Sequence, residues 1–139
     1  MRLLLNILWF ILLGFMMGLG WVLAGILMYI SIVGIPWGRA CFTLAGFVFF
    51  PFGREAVARD VVTGKQDLGT GSLGVIGNVV WFVFGGLWLA IGHFGSAITL
   101  FISIIGIPFA LQHMKIGLLA LAPIGMTVVD KDQVFTRKK

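Results

Sequence analysis

Two long runs of this sequence carry no ionised side chain. Residues 3–38 and 68–114 contain no Asp, Glu, Lys or Arg, and shorter clean stretches cover 40–53 and 116–129. A membrane-crossing helix needs only about 20 apolar residues, so each long run exceeds one span. Over 139 residues the chain is 60% hydrophobic and 11% charged, where a water-facing domain carries about 25% charged residues. The soluble, disordered and nucleic-acid-binding classes are therefore excluded, despite a net charge of +5. The chain reads as a polytopic membrane protein with a single membrane domain. Met1-Arg2 opens like a signal peptide, but the apolar stretch that follows runs to Ile35. A signal core is about 7–15 residues, so a retained first helix is expected. Cys41 is the lone cysteine and excludes an intrachain disulfide.

The second constraint is a duplication. Shifting the chain by 72 residues lays 6–53 on 78–125 without a gap, with 14 of 48 positions identical. Asn6, Trp9 and Phe10 return as Asn78, Trp81 and Phe82, and Gly14 and Gly20 as Gly86 and Gly92. Ile30-Ser-Ile-Val-Gly-Ile-Pro36 returns as Ile102-Ser-Ile-Ile-Gly-Ile-Pro108, and Pro51-x-Gly53 as Pro123-x-Gly125. Apolar bias does not align Asn, Trp, Gly and Pro together, so the chain is two copies of one unit.

Each unit predicts two helices around a break. Long helices are expected over 3–33 and 75–105, and short ones over 37–50 and 109–122. At the break, Gly34 and Gly106 suit a left-handed residue past a helix end. Pro36 and Pro108 suit the first turn of the next helix, where a missing N–H costs nothing. The expected fold is an all-α membrane protein of two tandem helical hairpins related by a parallel pseudo-twofold. Its segments are repeat 1 over 1–53, a hydrophilic cytoplasmic linker over 54–74, repeat 2 over 75–129 and a basic tail over 130–139. The short helices reach about 22 Å against about 30 Å of hydrocarbon, short enough to be re-entrant. If all four cross, Arg2, Arg54, Arg59, Lys65, Lys131, Arg137, Lys138 and Lys139 share one side, leaving Arg39 and Lys115 apart. That asymmetry favours four crossings with both termini cytoplasmic.

The chemistry-bearing residues are few. All five acidic residues fall in the linker or tail, so no intramembrane carboxylate is available for cation coupling. No catalytic triad, paired carboxylates, metal cluster or cofactor site can be assembled, and enzyme activity is not expected. Gly69-Thr-Gly-Ser-Leu-Gly74 matches G-x-G-x-x-G but lacks a βαβ setting, and reads as a flexible linker. Arg39 and Lys115 are the ionised groups inside apolar segments. Lys115 follows Gln112 and His113 and is the repeat counterpart of Thr43, which shares a helical stripe with Arg39 and Gly46. Either this face turns to the bundle interior or an aqueous path attractive to anions, or the fourth helix lies shallow and Lys115 reaches water. Gly14-x-x-x-Gly18 and Gly86-x-x-x-Ala90 are small-residue patterns for close helix packing. Asn6, Asn78, Ser31 and Ser103 are expected to satisfy backbone or interhelical hydrogen bonds. Trp9, Trp37 and Trp81 are placed as interfacial anchors, and Trp21 and Trp88 as packing residues.

The paired units, from Asn-x-x-Trp-Phe through Ile-Ser-Ile-x-Gly-Ile-Pro to Pro-x-Gly, resemble the YccF family of bacterial inner-membrane proteins over about residues 3–129. The resemblance implies two copies of an inner-membrane component domain with two membrane helices each. It carries no known reaction and no catalytic residues. Some members are joined to cation-exchanger segments, which implies an accessory role in transport. The expectation is a small oligomeric channel or transporter-like protein in the bacterial inner membrane. The alternative is a non-conducting scaffold that binds a partner membrane protein.

Overall fold

The computed structural model describes residues 1–133, so the Arg137-Lys138-Lys139 cluster lies outside the described residues. Helix α1 (Arg2–Ile30) and helix α4 (Ser72–Phe101) are 29 and 30 residues long, with mean hydropathies of 2.3 and 1.9. Only 22% and 33% of their most apolar windows are buried. A soluble core helix of that hydropathy would bury most of its surface, whereas these leave Leu3, Ile11, Leu23, Val75, Val83 and Ile98 exposed. Such a surface needs lipid. Helices α2 (Ile35–Phe49) and α5 (Ile107–Leu121) return along α1 and α4 and complete the hairpins.

The hairpins repeat hydrogen bond for hydrogen bond. Trp9 Nε1 donates to Val48 O at 2.6 Å, and Trp81 Nε1 to Ala120 O at 2.8 Å. Both indoles lie in the core rather than at an interface, correcting the anchor reading. Gly14 and Gly86 make the room: a Cβ at either would collide with its tryptophan, and one at Gly86 would also lie 2.7 Å from Ala120 O. Ala90 is buried, and a Cβ on Gly18 would strike the Phe49 ring. In both long helices the turn that ends on Gly14 or Gly86 is widened, with Phe15 N–H bonded to Phe10 O and Leu87 N–H to Phe82 O. Such bulges re-aim neighbouring side chains. Trp88 is 65% exposed and faces outward, contrary to the packing expected of it.

The break also departs from expectation. Gly34 and Gly106 have φ of −81° and −73°, so neither is left-handed. Each is needed for space: a Cβ on Gly34 would lie 2.6 Å from Ser31 Oγ, and one on Gly106 would strike Leu100 O. Ser31 and Ser103 hydroxyls accept the N–H of Gly34 and Gly106 at 3.1 and 2.9 Å. The positive φ in the first turn falls on Ile32 instead.

The linker is ordered and the fold is not all-α. Strand β1 (Arg54–Ala58) leads into the one-turn helix α3 (Arg59–Thr63), and strand β2 (Met126–Asp130) follows α5. The strands pair antiparallel from Arg54 opposite Asp130 to Ala58 opposite Met126. The glycine-rich segment is fixed as well. Asp67 accepts the N–H of Gly69 at 2.7 Å and of Thr70 at 3.0 Å, while Arg59 grips its carboxylate at 2.7 and 2.9 Å.

Two pairs of equivalent positions touch their own counterparts. Ala56 lies opposite Val128 in the ladder, and Trp21 bonds to His93. A residue in contact with its own rotated image sits on the rotation axis, so the pseudo-twofold passes through the ribbon and the crossing of α1 with α4. Around it, contacts come in exchanged pairs: a Cβ on Gly92 would lie 2.9 Å from Met17 Cε, and one on Gly20 3.5 Å from Leu89 Cδ2.

Candidate functional site: the repeat interface and the outer faces of the short helices

The ribbon fixes which parts of the chain share a side. Asn6 clamps the backbone of Phe52, donating to its O at 3.0 Å and accepting from its N at 2.9 Å. Asn78 does the same to Ile124 at 3.1 and 2.9 Å. These amides tie the start of each long helix to the end of the short helix that returns to it. Gly53 and Gly125, at φ +93° and +90°, then turn the chain into the strands. Arg2 is ion-paired to Asp132 at 2.6 Å and Arg54 approaches Asp130 at 3.7 Å. The N-terminus, the linker and the segment after α5 therefore lie together, and each hairpin leaves that side and returns to it. The ladder pairs the segment that follows the first hairpin with the segment that follows the second.

The candidate polar-path residues do not share one environment. Arg39, Thr43 and Lys115 are exposed on the outside of the chain, Gln112 is half-buried, and His113 is in the core. The exposed positions repeat: Pro36, Arg39, Phe42, Thr43 and Gly46 on α2 answer to Pro108, Leu111, Met114, Lys115 and Leu118 on α5. Repeat 1 thus shows an outer stripe of Arg39, Thr43 and Gly46, and repeat 2 shows Lys115 between Leu111 and Leu118. A Cβ on Gly46 would meet nothing within 4 Å. The Thr43 hydroxyl is internally satisfied, donating to Arg39 O at 3.0 Å.

The interior holds a polar chain that the spacing of polar residues along the helices does not reveal. Trp21 Nε1 donates to His93 Nε2 at 3.1 Å, and His93 Nδ1 meets His113 Nδ1 at 2.9 Å. Both histidines are 0% exposed. Trp9 covers the His113 ring at a centroid distance of 4.2 Å, and Trp81 stacks on Trp21 at 6.3 Å. In sequence the histidines lie 20 residues apart on different helices, without acidic companions. The available signal was that both fall at periodic buried positions of their helices. Among the described residues no group of three or more His, Cys, Asp or Glu side chains is placed to hold a metal.

A duplicated helical hairpin with a lipid-facing exterior, closed on one side by a ribbon, defines an integral membrane protein built from two copies of one unit. The inner membrane component domain of the YccF family matches twice, over residues 4–54 and 76–126; the chain belongs to that family. The two matches are offset by the 72 residues that relate the repeats. The chain is 40% identical over 133 residues to the Inner membrane protein YccF of Escherichia coli (strain K12), covering 94% of this chain and 88% of that protein. The Shigella flexneri protein of the same name aligns with the same figures. No solved structure matches.

Proposed function

We propose that this inner-membrane protein works as an oligomer in which the outer faces of α2 and α5 line a polar path with a preference for anions. The observation that carries this reading is Lys115, exposed on a helix face otherwise made of Leu111, Met114 and Leu118. A lysine held against hydrocarbon costs on the order of 3 kcal/mol, which a neighbouring copy enclosing a wet path would relieve. Arg39 and Thr43 on the matching face extend the same polarity, and the bare surface at Gly46 permits a close helix approach. In this reading α1, α2, α4 and α5 all cross, and the ribbon side, which holds Arg2, Arg54, Arg59, Lys65 and Lys131, is cytoplasmic with both termini. No enzymatic step is assigned.

Chloride efflux from liposomes containing the purified chain, with potassium efflux as the control, tests the path. Chloride efflux should exceed potassium efflux and fall several-fold in Lys115→Ala. Absence of efflux, with one stable partner protein recovered by crosslinking, would assign a scaffold role instead. The orientation is tested by Gln66→Cys in a Cys41→Ala background. A membrane-impermeant maleimide added to spheroplasts should leave Cys introduced at 66 unlabelled, and labelling there would reverse the orientation.

A further inference from the structure

The buried chain Trp21–His93–His113 is not used by the proposed path and lies where the two repeats touch. An indole N–H can only donate, so His93 Nε2, 3.1 Å from Trp21 Nε1, is a bare acceptor. A neutral imidazole then carries its proton on Nδ1, which donates to His113 Nδ1 at 2.9 Å. His113 in turn holds its proton on Nε2, a buried atom without a hydrogen-bond partner among the described residues. All donors in the chain therefore point one way, and the last is unsatisfied.

We propose that the His93–His113 pair is a binding site for one proton, and that its occupancy opens the contact between the repeats. The two nitrogens able to accept a proton, His93 Nε2 and His113 Nδ1, are both acceptors of existing hydrogen bonds. A proton taken from bulk water onto His113 Nδ1 sets two N–H groups face to face across 2.9 Å. Moving His93's own proton to Nε2 relieves that clash but sets an N–H against the Trp21 indole. One bond of the chain must break either way, and the pair gains one positive charge.

Among the described residues no anion is placed to neutralise that charge. On α1, Arg2 is paired to Asp132 at the ribbon and Tyr29 packs on Phe42 at the opposite end. On α2, Arg39 is exposed and Cys41 is buried. On α5, Lys115 is exposed, and α4 carries no other titratable side chain. A new charge in that interior is relieved by separating the elements and admitting water. Because Trp21–His93 lies on the pseudo-twofold, separation there moves the repeats against each other. His93 and His113 stand where repeat 1 has Trp21 and Cys41, so the chain exists only because the repeats differ at two core positions.

Nitrogen-15 NMR of the histidines and indoles, on the full chain in lipid nanodiscs, tests this between about pH 8 and about pH 4, a range spanning ordinary imidazole titration. At the alkaline end His93 should carry its proton on Nδ1 and His113 on Nε2. On acidification, one step should protonate the pair and displace the Trp21 indole signal, assigned with Trp21→Phe. His113→Gln should abolish the step, since its amide accepts from His93 without titrating. Reversed tautomers, a Trp21 signal that does not move down to the acid end, or a step that persists in the double variant His93→Gln/His113→Gln would each overturn the proposal. The tautomers and the titration are read on the unaltered protein, so they stand even if a histidine variant fails to fold.

Discussion

At the scale of single residues, the side chains that return in both repeats are structural tools. Asn6 and Asn78 each make two hydrogen bonds to one backbone unit of the returning turn. Ser31 and Ser103 close the helix break, and Trp9 and Trp81 bridge the two helices of their own hairpins. Removing the Asn78 amide leaves the Ile124 N–H and C=O without that partner, and a loss of about 2 kcal/mol is expected for Asn78→Ala. Unfolding in mixed micelles with increasing SDS should show it, with Asn6→Ala losing a similar amount. A change within measurement error would mean that the clamps do not hold the turns. Among the positions that differ between the repeats, His93 against Trp21 and His113 against Cys41 carry the buried chemistry that the proposed path does not use. The repeated identities were legible in the sequence because chance does not align Asn, Trp and Pro. Their partners were not, because a tryptophan near a helix end reads equally as an interfacial anchor or as a donor to a carbonyl on the neighbouring helix.

At the scale of elements, the four helices and the break between them were readable within a few residues, since apolar runs and Gly-Ile-Pro are strong local signals. The strands were not. Arg54–Ala58 and Met126–Asp130 are five residues each, without clean alternation, and 72 positions separate their first residues. Their pairing depends on where the hairpins deliver them, a long-range fact invisible to local pattern. The 69–74 segment reads as flexible in the sequence because its composition is polar and glycine-rich. Asp67 is what orders it, by gathering Arg59, Gly69 and Thr70 around one carboxylate. The Arg59 guanidinium bonds, followed by the Gly69 and Thr70 N–H groups, hold that carboxyl well below the usual carboxylate range. A lowered folded-state pKa stabilises above the unfolded value, about 3.9, and the contribution is lost as pH falls through the folded value. The melting temperature of the wild type should therefore exceed that of Asp67→Asn by a constant margin near neutrality. The margin should shrink below about pH 4; one that widens on acidification would contradict the assignment.

At the scale of the whole molecule, the duplication and the ribbon together determine the architecture. Two hairpins alone would leave their relative placement open. The ladder between β1 and β2 sets the linker and the segment after α5 on one side and makes Ala56 and Val128 partners across the pseudo-twofold. The same placement leaves the outer stripes of α2 and α5 exposed and puts Trp21 and His93 at the crossing. A twofold is implied once a sequence is known to be duplicated, but only contacts between equivalent positions locate its axis. The most direct test is a disulfide across that axis. Gly53 O accepts from Lys131 N, and Arg59 N donates to Gly125 O. Ala56 and Val128 are thus a non-hydrogen-bonded pair, where Cα atoms lie about 4.5 Å apart, within disulfide reach. Ala56→Cys/Val128→Cys in a Cys41→Ala background should crosslink within one chain in native membranes under mild oxidation, at any expression level. Free thiols that never join, or a crosslink formed only between chains, would contradict the one-sided twofold arrangement.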